Sequence, residues 1–174
     1  LAYRHDKGTV IGITGTNGKT TTTSLTYDIM KRHAKKALLV GNIEIPYTGY
    51  ALESDKDSVT VAEISSFQLE TMVTFKPHVT AILNITPDHL DRHKTLENYI
   101  AIKESITKNQ DENDFCVLNY NDPVLREFGK TPRCKVIFFS SSEELESGVF
   151  LRGDTMIIKE NGVETPVCTT KDTS

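Results

Sequence analysis

The sequence is poor in cysteine and has no long hydrophobic run. Its three cysteines are odd in number, and no two of them have the C-x-x-C spacing of redox and zinc motifs. A disulfide framework and a zinc knuckle are therefore both disfavoured. No apolar run approaches the ~20 residues that cross a bilayer, and no basic-then-apolar signal peptide opens the chain. These absences predict a cytoplasmic protein without a membrane partner.

An excess of positive charge is also missing. Lys and Arg number 20 and Asp and Glu number 24, which gives a net charge of −4. This balance argues against nucleic acid as a partner, since a phosphate backbone selects for a basic surface, but it leaves room for a local phosphate site. The 174 residues, 37% of them hydrophobic and 25% charged, suit one folded domain. Because the chain begins at Leu1 and ends in a polar segment, we expect a piece of a longer protein.

Short apolar runs alternate with helical patterns along most of the chain. Six of these runs predict buried strands, at residues 9–14, 37–40, 59–63, 79–85, 115–118 and 136–139. Three stretches predict helices, at residues 20–33, 95–108 and 122–128. In the first helix, Leu25, Ile29 and Met30 share one side. Strands that are apolar throughout and alternate with helices are typical of a parallel sheet covered on both faces.

The last part of the chain has a different pattern. Short runs at residues 149–152, 155–159 and 165–168 are separated by Gly153-Asp154 and Asn161-Gly162, and Asn-Gly is a strong hairpin signal. We therefore predict an α/β fold. A phosphate-loop domain, with a mostly parallel sheet flanked by helices, should span about residues 8–140, and a small antiparallel meander should follow over about residues 149–168.

A glycine-rich segment between the first strand and the first helix is the most informative motif. Its candidate nucleotide-binding residues are Gly15, Thr16, Asn17, Gly18, Lys19, Thr20 and Thr21. Unpaired backbone N–H groups at a helix N-terminus attract anions, and glycines let the backbone curl around a phosphate. Lys19 can then neutralise the terminal phosphates, and the Thr20 hydroxyl can hold Mg²⁺.

This loop departs from the common phosphate-loop pattern G-x-x-x-x-G-K-[ST]. Counting back from Gly18, Ile13 stands where the first glycine of that pattern belongs, and Gly15 lies inside the loop instead. Because of this departure, the sequence favours a generic nucleoside triphosphatase less strongly. A guanine-specific N-K-x-D motif is absent as well, so the sequence favours ATP over GTP.

Two further candidates follow later strands, at the carboxyl edge where open α/β sheets bind their ligands. Glu63 ends the third predicted strand, and an acid at that place can reach a magnesium ion or its water shell. His89 lies after the fourth strand in T-P-D-H-L-D-R-H, whose spacing is not the H-E-x-x-H of a zinc site. One functional histidine is therefore favoured over a zinc centre.

Lys103 and Ser65 each have a structural and a functional interpretation. Lys103 lies on the apolar stripe of the second long helix, between Ile100 and Ile106. An inward-facing lysine is uncommon, and its stem can instead carry the charge outward to solvent. Ser65 and Gln68 have the spacing of a capping box, which is a sufficient role in itself and does not exclude contact with a substrate.

Together these residues resemble the central, ATP-binding domain of the Mur ligase family. Five segments in the family's order carry the resemblance: T-G-T-N-G-K-T (14–20), G-N-I (41–43), A-E-I-S-S-F-Q-L-E (62–70), L-N-I-T-P-D-H-L-D-R-H (83–93) and Y-I-A-I-K (99–103). They lie within about residues 8–118. Within the family, S-S-F-Q-L and G-N-I are similar to the members that add D-glutamate.

The resemblance implies an ATP-dependent ligase of peptidoglycan precursor synthesis. Such an enzyme transfers the γ-phosphoryl group of ATP to the carboxylate of UDP-N-acetylmuramoyl-L-alanine. The amine of D-glutamate then attacks the acyl phosphate, and phosphate leaves as the amide forms. Because this reaction brings like charges together, catalysis must be largely electrostatic, with Lys19 and two magnesium ions as the positive charges.

Roles for the other candidates are also implied by the resemblance. Thr20 would hold the first magnesium ion, and Glu63 and His89 would hold the second. Lys103 matches the family lysine that is carbamylated, which turns its ammonium into an anionic carbamate that serves the second metal. This role would account for a lysine on an apolar stripe.

Asn42 and Ser65 match family positions near the muramoyl substrate. The family also has an N-terminal domain for the uridine nucleotide and a C-terminal domain for the amino acid, and its central domain normally closes with a G-x-H-N segment. None of these is found in residues 1–174. We therefore expect these residues to form a central ATP-binding domain without ligase activity of its own.

Three alternatives stay open at this point. The first is another Mur-type ligase, such as an alanine- or diamino-acid-adding member, or a folylpolyglutamate synthase, although the S-S-F-Q-L segment weighs against these. The second is a small-molecule kinase built on a phosphate loop. The third is a nucleotide-binding module without enzymatic activity.

Overall fold

One continuous sheet organises the computed structural model, which describes residues 1–43 and 45–173. The strands of this described part are β1 (Thr9–Thr14), β2 (Lys36–Gly41), β3 (Ser58–Glu63), β4 (Val79–Ile82), β5 (Phe115–Asn119), β6 (Lys135–Ser140), β7 (Gly148–Arg152), β8 (Thr155–Glu160) and β9 (Val163–Thr169). Their order across the sheet is β2-β3-β1-β4-β5-β6-β7-β8-β9. All pairs from β2 to β7 are parallel and the last two are antiparallel, so the predicted α/β fold is confirmed.

Helices connect the parallel strands. They are α1 (Lys19–His33), α2 (Tyr47–Tyr50), α3 (Ser66–Leu69), α4 (Leu90–His93), α5 (Leu96–Glu104) and α6 (Pro123–Phe128). Short 3₁₀ turns lie at Ala2–Arg4, Ala51–Glu53, Ser105–Thr107 and Thr170–Thr173. The sequence predicted α1, α5 and α6. Two of the four-residue helices, α2 and α4, carry too few residues to show a helical period in the sequence.

Side-chain caps determine where α5 and α6 begin. The Thr95 hydroxyl accepts a hydrogen bond from the backbone N–H of Asn98 at the start of α5. The Asp122 carboxylate accepts from the N–H groups of Val124 and Leu125 at the start of α6, where Pro123 occupies the first helical position. Each cap satisfies N–H groups that the helix itself leaves without partners. These two helices therefore begin within a residue of their predicted starts.

The side of α1 that carries Leu25 and Ile29 is not its buried side. Leu25 is 60% exposed and Ile29 is 45% exposed, whereas Thr23 is fully buried and Tyr27 and Met30 pack against the sheet. Thr23 can be buried because its hydroxyl donates to the Lys19 carbonyl at 2.7 Å within the same helix. The apolar residues alone therefore gave the wrong face of this helix.

Both faces of the sheet are covered, as predicted. On one face a large apolar cluster includes Val40, Ile82 and Leu118 from the strands and Tyr99 from α5. On the other face Ile13 and its neighbours pack against α1. Because alternate residues of each central strand enter different clusters, these strands are apolar along their whole length.

Two predicted elements end earlier than the sequence suggested. The strand predicted at residues 79–85 ends at Ile82, and the following backbone turns towards β1, where the Leu83 N–H donates to the Thr14 carbonyl at 3.0 Å. The helix predicted at residues 95–108 ends at Glu104 and continues as a 3₁₀ turn. The first difference is important, because the shortened strand leaves residues 83–86 free to contact the glycine-rich loop.

The C-terminal meander extends the main sheet. Its first strand, β7, pairs in parallel with β6, and β8 and β9 follow as antiparallel hairpins. Asn161 and Gly162 have φ values of 52° and 80°, as a tight two-residue hairpin turn requires. The edge strand β9 contains Pro166, and its pairing with β8 is interrupted by a bulge opposite Met156 and Ile157.

Within residues 1–43 and 45–173, no helix is long and apolar enough to cross a membrane.

Candidate active site

The glycine-rich loop lies at the centre of the carboxyl edge of the sheet. It follows β1, which stands between β3 and β4, so the chain passes to one side of β1 for β2 and β3 and to the other side for β4. Ligands of open α/β sheets bind where the strand order reverses in this way. The loop therefore occupies the place where a ligand site is expected.

The loop leads directly into the N-terminus of α1. Gly18 is the N-cap residue, with φ at 78° in the left-handed region that glycine adopts without strain, and no side chain caps the helix. Lys19 begins the helix, and its Nζ donates to the Thr16 carbonyl at 2.8 Å. α1 is a helix of 15 residues whose N-terminus has no side-chain cap and lies next to the Lys19 ammonium group. Such a helix N-terminus is suited to binding an anion.

Glu63 lies beside this helix with its carboxylate buried. Its Oε2 accepts from the Thr20 hydroxyl at 2.7 Å, its Oε1 accepts from the Asn42 side-chain amide at 3.1 Å, and the residue is only 2% exposed. Among the described residues, no lysine, arginine or histidine forms an ion pair with it. The structure thus brings Thr20, Asn42 and Glu63 together around a carboxylate that has only neutral partners.

Gly41 brings Asn42 close to Glu63. The φ of Gly41 is 116°, and a Cβ atom at this position would lie 2.1 Å from the carbonyl oxygen of Glu63. The next N–H, that of Asn42, donates to the same carbonyl at 2.9 Å. Only glycine allows this approach between the ends of β2 and β3, which places the Asn42 amide within reach of the Glu63 carboxylate.

Lys103 points into the protein and does not reach solvent. It is 1% exposed, its Nζ donates to the Gly15 carbonyl at 2.9 Å, and its ammonium lies 4.8 Å from the centre of the Tyr99 ring. Burial, together with the positive charge of Lys19, lowers the pKa of Lys103 from 10.5 to about 8. The outward-directed alternative for this lysine is therefore wrong.

Tyr99 connects α5 to the loop one residue further along. Its hydroxyl lies 3.1 Å from the Thr16 hydroxyl, which also donates to the Thr86 carbonyl at 3.2 Å and accepts from the Thr86 N–H at 3.1 Å. Burial raises the pKa of Tyr99, so its phenol remains a neutral hydrogen-bonding group at physiological pH. In the sequence Tyr99 stood out only as the first residue of the segment Y-I-A-I-K.

His89 forms no hydrogen bond or ion pair with Glu63 or Lys103. It is the N-cap residue of α4 with φ at 50°, its side chain is half exposed, and its ring centre is 5.0 Å from that of Phe67. Within the described residues, the hydrogen bonds and ion pairs of His89 involve its neighbour Asp88 and the turn of α4. No group of three or more His, Cys, Asp or Glu side chains in residues 1–43 and 45–173 has a metal-binding arrangement.

The second histidine of the same segment has a structural environment. His93 is 3% exposed, its Nε2 lies 3.0 Å from the Ser66 hydroxyl, and its Nδ1 lies 3.1 Å from Oε1 of Glu70. These contacts join α4 to α3. His93 therefore packs the two short helices together at the side of the site.

Ser65 forms the predicted capping box with Gln68. Its hydroxyl accepts from the Gln68 N–H at 3.3 Å, and the Gln68 side chain accepts from the Ser65 N–H at 2.9 Å. The structural interpretation of this pair is confirmed. α3 therefore begins at Ser66, three residues after Glu63.

Sequence reasoning missed Asn84. Its side chain bonds to both backbone groups of Asn17 in the middle of the loop: Oδ1 accepts from the Asn17 N–H at 2.8 Å, and Nδ2 donates to the Asn17 carbonyl at 3.0 Å. Its own carbonyl accepts from the Thr16 N–H at 3.0 Å. The signals available in the sequence were a polar amide inside the run predicted as a strand at residues 79–85 and its place in the segment L-N-I-T-P-D-H-L-D-R-H.

Comparison with known proteins identifies the family. The family model of the Mur ligase middle domain matches residues 13–173. The chain therefore belongs to the Mur ligase family and corresponds to its middle domain.

Curated relatives include enzymes named UDP-N-acetylmuramoylalanine–D-glutamate ligase. The one from Lachnoclostridium phytofermentans is 53% identical over 168 residues, which cover 97% of this chain and 37% of that protein. The one from Lachnospira eligens is 52% identical over 154 residues, which cover 88% of this chain and 34% of that protein. The chain thus spans little more than a third of the length of these relatives.

Solved structures agree on the fold. MurF ligase from Thermotoga maritima, determined in complex with ADP, has a TM-score of 0.68 at 23% identity and covers 95% of this chain with 42% of its own. A MurF structure from Acinetobacter baumannii has a TM-score of 0.67 at 17% identity. At such low identities the likeness supports the fold alone.

Proposed function

We propose that the protein carrying this chain is an ATP-dependent ligase that adds D-glutamate to UDP-N-acetylmuramoyl-L-alanine in peptidoglycan precursor synthesis. This chain would supply the ATP- and magnesium-binding part. The names of relatives at about half identity support the substrate pair. The chemistry rests on one observation in this chain, the buried Glu63 carboxylate that meets the Thr20 hydroxyl at 2.7 Å beside an uncapped helix N-terminus.

A divalent cation fits the surroundings of Glu63. A buried carboxylate with only neutral hydrogen-bond partners is costly, and a hard cation that takes oxygen ligands would compensate the charge. Thr20 would hold the first magnesium ion. Glu63 would hold the second together with His89 after a movement of α4, since His89 forms no hydrogen bond or ion pair with Glu63 in the present arrangement. When bound, magnesium would neutralise the charge of the triphosphate. Lys19, at the mouth of the loop, would bind the transferring phosphoryl group.

Lys103 fits a carbamylated lysine. Its pKa of about 8 leaves a substantial fraction of neutral amine at physiological pH, and a neutral amine adds CO₂ to give a carbamate and one proton. The carbamate would be an anionic oxygen ligand for the second magnesium ion. Asn42 and Ser65 would lie near the muramoyl substrate. Asn42 already donates a hydrogen bond to the Glu63 carboxylate, so it would connect the metal site with the substrate site.

The decisive experiment is an assay of phosphate release by the full-length protein that carries this chain, with UDP-N-acetylmuramoyl-L-alanine, ATP and one amino acid at a time. We expect release to depend on D-glutamate. L-Ala, L-Lys or a diamino acid as the preferred substrate would support another Mur-type ligase, and L-Glu would support a folylpolyglutamate synthase. A stable phosphorylated product formed without any amine would support a small-molecule kinase.

Substitutions test the site itself. Glu63→Gln keeps the shape and one acceptor but removes the charge, and we expect it to lower kcat on the order of 10²–10³-fold. Lys103→Ala should lower activity as well, because it removes both the amine and any carbamate. Glu112→Gln and Lys130→Ala, at exposed positions, are the matched controls. Full activity of both site variants would refute the roles proposed for Glu63 and Lys103, whereas a wild-type protein that binds nucleotide without any turnover would support a nucleotide-binding module without catalysis.

Two expectations about context belong to the same proposal. Because this chain spans little more than a third of its relatives, the residues for the uridine nucleotide and the amino acid would come from other domains, and the chain alone should not release phosphate in response to D-glutamate. We place the reaction in the cytoplasm. The three cysteines are free and two of them are buried, which suits a reducing compartment.

A further inference from the structure

The middle of the phosphate loop is held by a side chain from outside the loop. Asn84, which follows β4, makes two hydrogen bonds to Asn17, with Oδ1 accepting from its N–H at 2.8 Å and Nδ2 donating to its carbonyl at 3.0 Å. A third bond runs from the Thr16 N–H to the Asn84 carbonyl at 3.0 Å. Both backbone groups of the central loop residue are therefore paired with one amide side chain.

This pairing shows which N–H groups of the loop are available to a ligand. The N–H of Asn17 is used by Asn84 and so is not directed at a phosphate, whereas the N-terminus of α1 has no side-chain cap. The carboxamide matches the peptide because it offers one acceptor and one donor, and its opposite orientation would place N–H against N–H and oxygen against oxygen. A carboxylate at this position could keep only one of the two bonds.

The two side-chain hydrogen bonds between Asn84 and Asn17, which form a clamp on the loop, are also relevant to the unusual sequence of the loop. The common phosphate-loop pattern has a glycine where this chain has Ile13, and Gly15 and Gly18 allow the intervening backbone many conformations. Tyr99 and Lys103 restrain the loop at Thr16 and Gly15, on the side of α5. Asn17 lies beyond their reach, and Asn84 restrains it from β4.

We propose that Asn84 is a positioning residue for the nucleotide, which holds the variant phosphate loop in its binding conformation by pairing with both backbone groups of Asn17. The inference rests on the proposed function for the identity of the ligand as ATP. It adds that nucleotide affinity depends on a residue outside the loop and outside the candidate metal ligands.

The test is equilibrium binding of MgADP and MgATP to the full-length protein, measured by calorimetry for the wild type, Asn84→Ala and Asn84→Asp. Two hydrogen bonds of ordinary net strength correspond to about thirtyfold in an equilibrium constant, so Asn84→Ala should raise Kd about thirtyfold. Asn84→Asp should raise Kd further, because it loses the donor and adds a negative charge near the phosphates. This extra loss should shrink at high salt.

Asn119→Ala is the matched control. Asn119 lies at the end of β5 and donates to the Leu83 carbonyl at 3.1 Å, so it supports the same segment without touching the loop. We expect its Kd within about twofold of wild type, and all three variants should keep their melting temperatures within about 3 °C. In steady state, Asn84→Ala should raise KM for ATP while KM for D-glutamate stays unchanged.

Two results would overturn the inference. One is an unchanged nucleotide Kd in both Asn84 variants, and the other is an equal loss of affinity in Asn119→Ala, which would mean general loosening of the segment. Measuring nucleotide binding apart from ligase activity distinguishes a failure of this inference from a failure of the proposed function. A wild-type protein that binds MgADP but does not use D-glutamate contradicts the substrate assignment, while the Asn84 comparison still decides the role of the clamp.

Discussion

Lys103 carries an ammonium group into the core, and this makes the stability of the protein rise with pH. Burial, together with the charge of Lys19, lowers its pKa in the folded state to about 8, against 10.5 for an exposed lysine. The folded protein therefore holds this proton less tightly than the unfolded chain does. Unfolding takes up a proton between pH 8 and 10.5, so the free energy of unfolding increases with pH over that window.

The size of the effect follows from the two pKa values. A difference of 2.5 units between 8 and 10.5 corresponds to about 3 kcal/mol of destabilisation at pH well below 8, where Lys103 is charged in both states. From pH 7 to pH 9 the folded amine loses most of its protons while the unfolded one keeps nearly all of them. About 1.3 kcal/mol of stability should be recovered over this interval.

Urea unfolding in CO₂-free buffer measures this effect, with Lys103→Met as the variant that lacks the charge. The free energy of unfolding of the wild type, measured relative to that of Lys103→Met, should increase by about 1.3 kcal/mol between pH 7 and pH 9. Lys130→Met, at an exposed lysine paired with Glu127, should show no such change. A gap between wild type and Lys103→Met that is the same at both pH values would refute the argument that the buried ammonium is destabilised.

Three further predictions concern packing and thiol reactivity. Thr60→Val should stabilise the protein by about 1 kcal/mol and raise Tm by about 2–4 °C, because the buried Thr60 hydroxyl has no hydrogen-bond partner among the described residues; a lower Tm would contradict this. Gly41→Ala should cost more than about 2 kcal/mol in urea unfolding, since its Cβ would lie 2.1 Å from the Glu63 carbonyl, and a loss below about 0.5 kcal/mol would mean that the strand ends shift freely. A polar thiol reagent should label Cys168 first in the native protein, whereas the two buried cysteines should react only after unfolding, as mass spectrometry of the labelled chain would show.

Local sequence patterns predicted the features that depend on local physics. The strand at Thr9–Thr14 matches its prediction residue for residue, because a β-branched run bounded by glycine carries its own signal. The position of the glycine-rich loop between β1 and α1 was predicted from its glycines and from Lys19. The place of Lys103 on an apolar stripe made an inward direction conceivable but left the outward alternative open, and the structure decided between them.

Contacts between distant segments were not predictable in the same way. The bonds between Asn84 and Asn17 join residues 67 positions apart, and nothing near either residue in the sequence shows that they meet. The buried face of α1 was missed because Thr23 satisfies its hydroxyl inside the helix and so behaves as a small core residue. The partner of the Lys103 ammonium, the Gly15 carbonyl, likewise depends on how α5 packs across the loop.

The edge strand β9 affects how copies of this chain meet one another. An open strand edge is a template on which another chain can add, and here the outermost strand is interrupted by Pro166, which has no N–H to donate, and by a bulge next to it. Ile158, Val163 and Val167 are exposed nearby, so adhesive side chains are present. The irregular backbone should hinder these side chains from seeding an ordered ladder between copies of this chain.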